Sequence, residues 1–287
     1  MSAQAARVSA ADELPMSIEQ FLAGGHLRRS DVVLVSGDAA LSRAIRYMTD
    51  SPFSHAALVF LIPQHDKGFE HAFVIEAVRQ GVDLRRLSDL LAHDARRRGT
   101  AVSFLRLEAP WFDEEVQSTV RGRMLDFIQA GYSFGTILSI ALAILKQRLV
   151  GRPEAVPDAL AGALQRAHAR NRVAPASFIC SGLVQYGFLR TFRDLAEGPR
   201  SRLRPEEVLH GLFNPRLAEQ VRGGQLGLDD MLAEPGISTL LSTTPDEISR
   251  STRLAWKYVA ARGQVHAVSS RDEAVEIIQP RRRRRRA

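Results

Sequence analysis

Four short apolar runs, each closed by turn residues, constrain the fold of this chain more than any other feature. They are DVVLVSG (31–37), HAALVFLI (55–62), AFVIEAV (72–78) and AVSFLRL (101–107). Runs of this length and composition predict buried β-strands. From Phe112 onward apolar residues recur at helical spacing instead, as in DEEVQSTVRGRMLDFIQA and FGTILSIALAILKQRL. Because the strands come first and the helices follow, we predict an α+β fold rather than a parallel α/β sheet.

The net charge of the chain is concentrated at one end. The formal charge is +7, and Arg281–Arg286 supply six of these positive charges. The body of the protein is therefore close to neutral, and its composition is that of an ordinary globular protein. The run of arginines predicts a basic tail that binds an anionic partner, either a membrane surface or a nucleic acid, without sequence selectivity.

Several classes of protein are disfavoured by the sequence. The N-terminal residues lack the apolar core of a secretory signal. The longest apolar run, ILSIALAIL (137–145), is much shorter than the roughly 20 residues of a membrane span. We therefore expect a cytoplasmic protein, with peripheral membrane contact as an alternative. A single cysteine excludes an internal disulfide and any multi-cysteine metal site, and we expect neither a metal nor an organic cofactor.

Changes in pattern along the chain suggest four parts. We predict an N-terminal segment (1–25), a main domain (26–215), a helical C-terminal extension (216–279) and the arginine tail (280–287). The extension contains TTPDEISRSTRLAWKYVAARG, which predicts one helix from the Thr244–Glu247 capping box to Gly263.

Cys180 lies where a polar stretch turns into an apolar helix, in SFICSGLVQYGF (177–188). If Ser177 caps this helix, the thiol lies in the first turn, where unpaired N–H groups and the helix dipole stabilise a thiolate. The alternative is a cysteine that only packs in the core. We expect the first turn to be open to a cleft while an apolar face anchors the helix through Leu183, Val184, Gly187 and Phe188.

A thiolate nucleophile requires a base, usually a histidine, and a group that orients it. His55 opens an otherwise apolar strand and is the stronger candidate; His266, in GQVHAVSS, is the rival. Glu76 lies in the middle of an apolar strand, where an unpaired carboxylate costs several kcal/mol to bury. Its partner could be the His55 ring or an arginine such as Arg79, and the sequence leaves both open.

These segments resemble the circularly permuted branch of the NlpC/P60 superfamily of papain-like cysteine hydrolases, the YiiX-like hydrolases. The histidine segment SDVVLVSGDAALSRAIRYMTDSPFSHAALVF precedes the cysteine segment CSGLVQYGF, and VIEAVRQGV, GYSFGTIL and RPEEVL resemble further elements of that branch. The resemblance covers roughly residues 28–210. The chain departs from the pattern at Ser30, where the family usually has glycine, and at Gly182, where many permuted members have glutamate.

The resemblance implies a permuted papain-like fold, with an antiparallel sheet packed on the cysteine helix. It implies Cys180 as nucleophile, His55 as base and Glu76 as orienting group. It also implies hydrolysis or acyl transfer on amide or ester bonds of a peptide or lipid substrate. We expect the Cys180 N–H to stabilise the oxyanion, together with a donor from the turn formed by residues 36–38. A catalytically silent binding module of the same fold is the alternative.

Overall fold

A computed structural model of the chain describes most of the regions that carry these predictions. The described residues are 15–78, 80–96, 100–127, 131–132, 177–197, 201–233 and 240–280. The predictions for the first 14 residues, the apolar helix at 134–149, the polar stretch 151–175 and the arginines after Pro280 lie outside them.

The described residues form ten strands and ten α-helices, which are mixed along the chain. The strands are β1 (Met16–Ser17), β2 (Val32–Ser36), β3 (His55–Leu61), β4 (Phe73–Val78), β5 (Gly81–Arg86), β6 (Ala101–Leu107), β7 (Gly131–Tyr132), β8 (Ser177–Phe178), β9 (Leu254–Ala261) and β10 (Gln264–Ala267). The helices are α1 (Ile18–Ala23), α2 (Ala40–Thr49), α3 (Leu87–Asp94), α4 (Glu114–Leu125), α5 (Cys180–Glu197), α6 (Pro205–Val208), α7 (Pro215–Arg222), α8 (Leu228–Leu232), α9 (Pro245–Ser249) and α10 (Arg271–Ile278). A 3₁₀ turn covers Leu209–Gly211.

The predicted α+β class is confirmed. Eight strands form one open antiparallel sheet in the order β1-β10-β9-β6-β2-β3-β4-β5, and β7 and β8 form a separate short parallel pair. The four strands predicted from apolar runs are present as β2, β3, β4 and β6 with bounds within one residue of the prediction.

Both faces of the central strands are buried, which is why their sequences are apolar without alternation. On β2, Val32 and Leu34 join one hydrophobic cluster, while Val33 and Val35 join the other. The first cluster holds the buried face of α5, including the predicted anchors Leu183, Val184 and Phe188. The second cluster holds residues of α1 and α3. Helix α5 is therefore held against the sheet by a continuous core.

The C-terminal part does not form the predicted helical extension. The capping box of Thr244 and Glu247 is present, but α9 ends at Ser249 and residues 254–261 form β9. Strand β9 pairs with β6 over the length of that strand and lies between β6 and β10. The predicted helix is thus wrong beyond residue 249, and the segment assigned to an extension completes the main sheet. An unpaired β6 edge provides backbone partners that outweigh the local helical pattern.

Gly263 ends a strand rather than a helix. Arg262 (φ 55°) and Gly263 (φ 81°) both adopt left-handed backbone conformations between β9 and β10. A two-residue loop with positive φ at both positions is the hairpin turn that matches the twist of the flanking strands.

Ser30, where the sequence pattern led us to expect glycine, has an unusual backbone conformation. Ser30 is buried and has φ 63°, immediately before β2. This left-handed conformation favours glycine, the residue usual at this position in the family that the sequence resembles. In this chain the strain is accompanied by a hydrogen bond from the Ser30 hydroxyl to the backbone carbonyl of Gln117 at 3.3 Å.

Candidate active site

Cys180 is the first residue of α5. The predicted Ser177 cap is wrong, because Ser177 belongs to β8 and pairs with Gly131. The N–H of Leu183 donates to the carbonyl of Ile179, so Ile179 is the residue that precedes the helix. Cys180 nevertheless lies where the first N–H groups of a helix have no partner within it, as predicted for a stabilised thiolate.

The first turn of α5 is held by the C-terminal part of the chain. The Ser181 hydroxyl donates to the carbonyl of Thr243 at 2.6 Å, and both groups are buried. A Cβ added at Gly182 would overlap the backbone carbonyl of Leu241. This close approach explains why a residue with a side chain cannot be accommodated at position 182 without a shift of the backbone. The backbone around residue 241 occupies the space that its side chain would need.

Glu76 is hydrogen-bonded to His55, as one of the two interpretations of the sequence predicted. The distance from His55 Nε2 to Glu76 Oε2 is 2.6 Å. Glu76 lies on β4 opposite Ala57 of β3, diagonally across from His55. The Glu76 side chain is 4% exposed, so its charge needs this partner. Arg79, the other partner considered, lies outside the described residues.

Cys180 lies close enough to His55 for each group to shift the pKa of the other. Since Glu76 engages Nε2, Nδ1 is the ring nitrogen that remains for the sulfur. The backbone N–H groups of Ala56 and Ser181 are near enough to lower the pKa of the thiol as well. The described β3–β4 pairing begins at Ala57, which leaves Ala56 at the open end of that ladder beside the start of α5. The fold thus brings Cys180, His55 and Glu76 together.

The protonation states of the three groups are coupled. Burial alone would lower the pKa of His55, but Cys180 and Glu76 raise it well above its ordinary value. Burial alone would raise the pKa of the Cys180 thiol, but the His55 charge and the neighbouring N–H groups lower it. Burial likewise opposes the ionised form of Glu76, yet His55 and Arg85 lower its pKa. These directions favour a thiolate–imidazolium pair with an ionised carboxylate behind it.

The site is less open than the sequence suggested. Cys180 is buried at 6% exposure, which corrects the expectation that the first turn faces an open cleft. The His55 side chain is 20% exposed. Of the two reacting groups, the imidazole has more contact with solvent.

His266 is far from this arrangement. It lies on β10, and the strand register aligns it through Val259, Ser103 and Leu34 with Ala56. Four strand spacings separate the two positions, or roughly 19 Å. Burial and the charge of Arg262 lower the pKa of His266, so it is not held in the charged form. The geometry therefore pairs Cys180 with His55 and not with its rival.

The turn at residues 36–38 was predicted to supply a second oxyanion donor. The Gly37 N–H donates to the Ser54 hydroxyl at 3.1 Å, so the fold already uses this donor. Arg46 donates to the Ser36 hydroxyl and the Gly37 carbonyl, and thereby ties the turn to α2. For Ser36 and Asp38 the role stays a prediction.

Arg85 is a neighbour of the site that the sequence did not reveal. It lies on β5, and its Nη1 atom is 3.9 Å from Glu76 Oε1. The Arg85 guanidinium therefore faces the carboxylate oxygen that His55 does not use. Arg85 could not be predicted as a site residue because β5, in GVDLRR, carries too few apolar residues to be recognised as a strand.

No protein-family model matches this chain, and no curated protein is significantly similar to it. Within the described ranges, no group of three or more His, Cys, Asp or Glu side chains is arranged to hold a metal ion. In the same part of the chain, no helix has both the length and the apolar character needed to cross a bilayer. The geometry of Cys180, His55 and Glu76 is therefore the basis for any inference about the chemistry of this site.

The pH dependence of thiol alkylation measures the coupling between Cys180 and His55. In the wild type we expect iodoacetamide to react rapidly below the ordinary thiol pKa, because His55 lowers the pKa of Cys180. The rate should fall only as the pH drops below this lowered pKa. In His55→Ala burial remains while the imidazolium is lost, so the thiol pKa rises and the rate near pH 6 falls roughly tenfold or more.

The matched control for this experiment is His266→Ala, which removes a histidine about four strands away. Its alkylation profile should coincide with that of the wild type. Identical profiles for the wild type and His55→Ala would show that His55 does not hold Cys180 in the thiolate form.

Proposed function

We propose that this protein is a cysteine-nucleophile hydrolase or acyltransferase that acts on amide or ester bonds through an acyl-enzyme. Cys180 is the nucleophile, His55 the base and Glu76 the orienting group. One observation carries the proposal: Cys180 and His55 lie close enough to shift each other's pKa, and the His55 ring binds a buried carboxylate at 2.6 Å. This order of thiol, base and orienting group is what nucleophilic catalysis by cysteine requires.

The proposed reaction begins with the proton of the Cys180 thiol already held by His55, in a thiolate–imidazolium pair. The thiolate attacks the substrate carbonyl carbon and forms a tetrahedral intermediate. Its oxyanion is stabilised by the N–H of Cys180 at the start of α5. His55 then gives its proton to the leaving amine or alcohol as the carbon–heteroatom bond breaks. Finally, water or another acceptor attacks the thioester, and His55 takes its proton while sulfur departs.

Glu76 makes both proton transfers easier. Its bond to Nε2 keeps a proton on that nitrogen and directs Nδ1 toward the sulfur. Its negative charge stabilises the imidazolium that forms in each step. Arg85 faces the second carboxylate oxygen and lowers the pKa of Glu76 further, by less than His55 does.

The architecture supports the resemblance to the permuted NlpC/P60 branch. An antiparallel sheet carries the histidine on β3 and packs against a helix that begins with the cysteine. The histidine strand precedes the cysteine helix in the chain, as in the permuted members. We propose a permuted papain-like fold in which β9 and β10 extend the sheet beyond the region covered by the resemblance.

The alternative is a non-catalytic binding module of the same fold. The low exposure of Cys180 favours it, because a substrate carbonyl must reach a sulfur that is 6% exposed. A binding module, however, has no need for an ionised carboxylate behind the histidine. Capture of a covalent intermediate distinguishes the two functions.

We expect short incubation with activated acyl donors to leave an acyl group on Cys180. The panel should contain p-nitrophenyl esters of short and long fatty acids and peptide anilides, and the mass of the intact protein should be measured after acid quenching. Peptide mapping should place the added mass at residues 177–188. If no donor acylates a protein whose thiol still reacts with iodoacetamide, the binding module is the better description.

A further inference from the structure

Helix α2 presents its apolar side to solvent. Leu41 is 40% exposed and Tyr47 is 72% exposed, and these are two of the four large hydrophobic residues that the structure shows as exposed in its described part. The side of α2 that faces the protein is largely polar: Arg46 donates to the Ser36 hydroxyl and the Gly37 carbonyl. An ordinary surface helix buries its apolar stripe, so the orientation of α2 needs a partner to explain it.

A groove beside α2 is rich in arginine. Its lining includes Arg43 and Arg46 from α2 together with Arg250 and Arg271, against one lining carboxylate, Asp50. Asp246 binds both Arg250 and Arg271, at 2.7 and 2.9 Å. Asp50, Asp246 and Asp38, whose charge acts on Arg46, offset three of these four positive charges and leave the groove modestly positive.

The arginine tail starts at the same place. Gln279, just after the end of α10, lines this groove. The sequence then continues through Pro280 directly into Arg281–Arg286. Six further positive charges are thus attached at the rim of a surface that already combines exposed apolar residues with arginines.

We propose that α2 and this groove dock the protein on an anionic lipid surface. Leu41 and Tyr47 enter the interface between headgroups and acyl chains, while Arg43 and the tail contact the lipid phosphates. This combination is typical of an amphipathic helix that lies in a membrane interface. A nucleic acid would use the arginines but would leave Leu41 without a role, so the lipid surface fits the observations better.

Docking in this orientation would place the chain segment that leads into the candidate site near the membrane. Helix α2 connects the turn after β2 to residues 50–54, which lead directly into His55. The proposed surface itself does not depend on the proposed chemistry, because it rests on the exposure and charge of α2 and its groove. A binding measurement therefore tests it separately from any assay of turnover.

The test is co-sedimentation with vesicles of phosphatidylcholine alone and of phosphatidylcholine mixed with phosphatidylglycerol. We expect the wild type to bind the mixed vesicles, to bind the neutral ones weakly, and to be released by salt. The double variant Leu41→Ser, Tyr47→Ser should bind the mixed vesicles roughly tenfold more weakly or worse, because it removes apolar area from the interface. The matched control is Phe69→Ser, Leu125→Ser, which removes the two other exposed large hydrophobic residues and should bind as the wild type does.

Two further variants separate the helix from the tail. Arg43→Gln and a chain ending at Pro280 should each weaken binding to the mixed vesicles without abolishing it. The proposal is overturned if the wild type does not bind these vesicles, or if the Leu41, Tyr47 variant binds as well as the wild type. It is also overturned if a single-stranded oligonucleotide binds tightly while the vesicles do not, which would assign the arginines to a nucleic acid.

Discussion

Replacing Cys180 with alanine is expected to lower turnover at least ~1,000-fold on the best substrate of the ester and anilide panel. Removal of a nucleophile that acts together with a base costs most of the catalysis, since the remaining groups cannot form the covalent intermediate. The measurement is the initial rate of p-nitrophenol or anilide release under single-substrate conditions. Cys180→Ser should also be severely impaired, because His55 and Glu76 are arranged around a group that ionises far more easily than a hydroxyl.

The control for this loss is Thr191→Val. Thr191 is buried on the same helix, about three turns beyond Cys180, and valine keeps the shape of its side chain. It should retain wild-type turnover. If Cys180→Ala turns over substrate at the wild-type rate, Cys180 is not the nucleophile. Another part of the chain would then be responsible for the activity.

Replacing Gly182 with alanine is expected to destabilise the protein by about 3 kcal/mol or more. The added methyl group would overlap the backbone carbonyl of Leu241, and a backbone segment cannot move away as a flexible side chain can. The bond from the Ser181 hydroxyl to the Thr243 carbonyl holds the two segments at this distance. Urea unfolding followed by circular dichroism measures the change, which should appear as a lower midpoint at unchanged slope.

Gly122→Ala provides a control of the opposite sign. Gly122 is exposed within α4, and a Cβ there meets no atom within 4 Å. Alanine is the better helix former, so this variant should be more stable by about 0.5–1 kcal/mol. If Gly182→Ala unfolds at the wild-type midpoint, residues 240–243 do not pack against the first turn of α5. The segment around residue 241 would then not position Cys180.

The strands around the site could be predicted because their information is local. Strands β2, β3, β4 and β6 are short runs, mostly apolar because both of their faces are buried, and their length and flanking turn residues favour strands over helices. The sequence failed at β9, where a real capping box starts a helix that ends after five residues. Helix and strand patterns in residues 250–261 are close in local energy, and the β6 edge decides between them.

Some residues of the candidate site could likewise be predicted from the sequence, and others could not. Three signals were visible without coordinates: a cysteine at a helix start, a histidine at the first position of a strand and a carboxylate within an apolar strand. Arg85 was not visible, because its strand has no apolar pattern of its own and is recognised only by its pairing with β4. The burial of Cys180 also could not be predicted, since it depends on segments that are distant in the chain.

By itself, then, the amino-acid order determined the class of fold, the central strands and the identity of three candidate site residues, because backbone preference and hydrophobic pattern act between near neighbours. Only the tertiary structure decided that Cys180 lies near His55, that residues 254–261 complete the sheet and that the apolar side of α2 faces outward. These outcomes depend on backbone pairing and on packing between distant segments, whose free energies are not encoded in any single stretch of the chain.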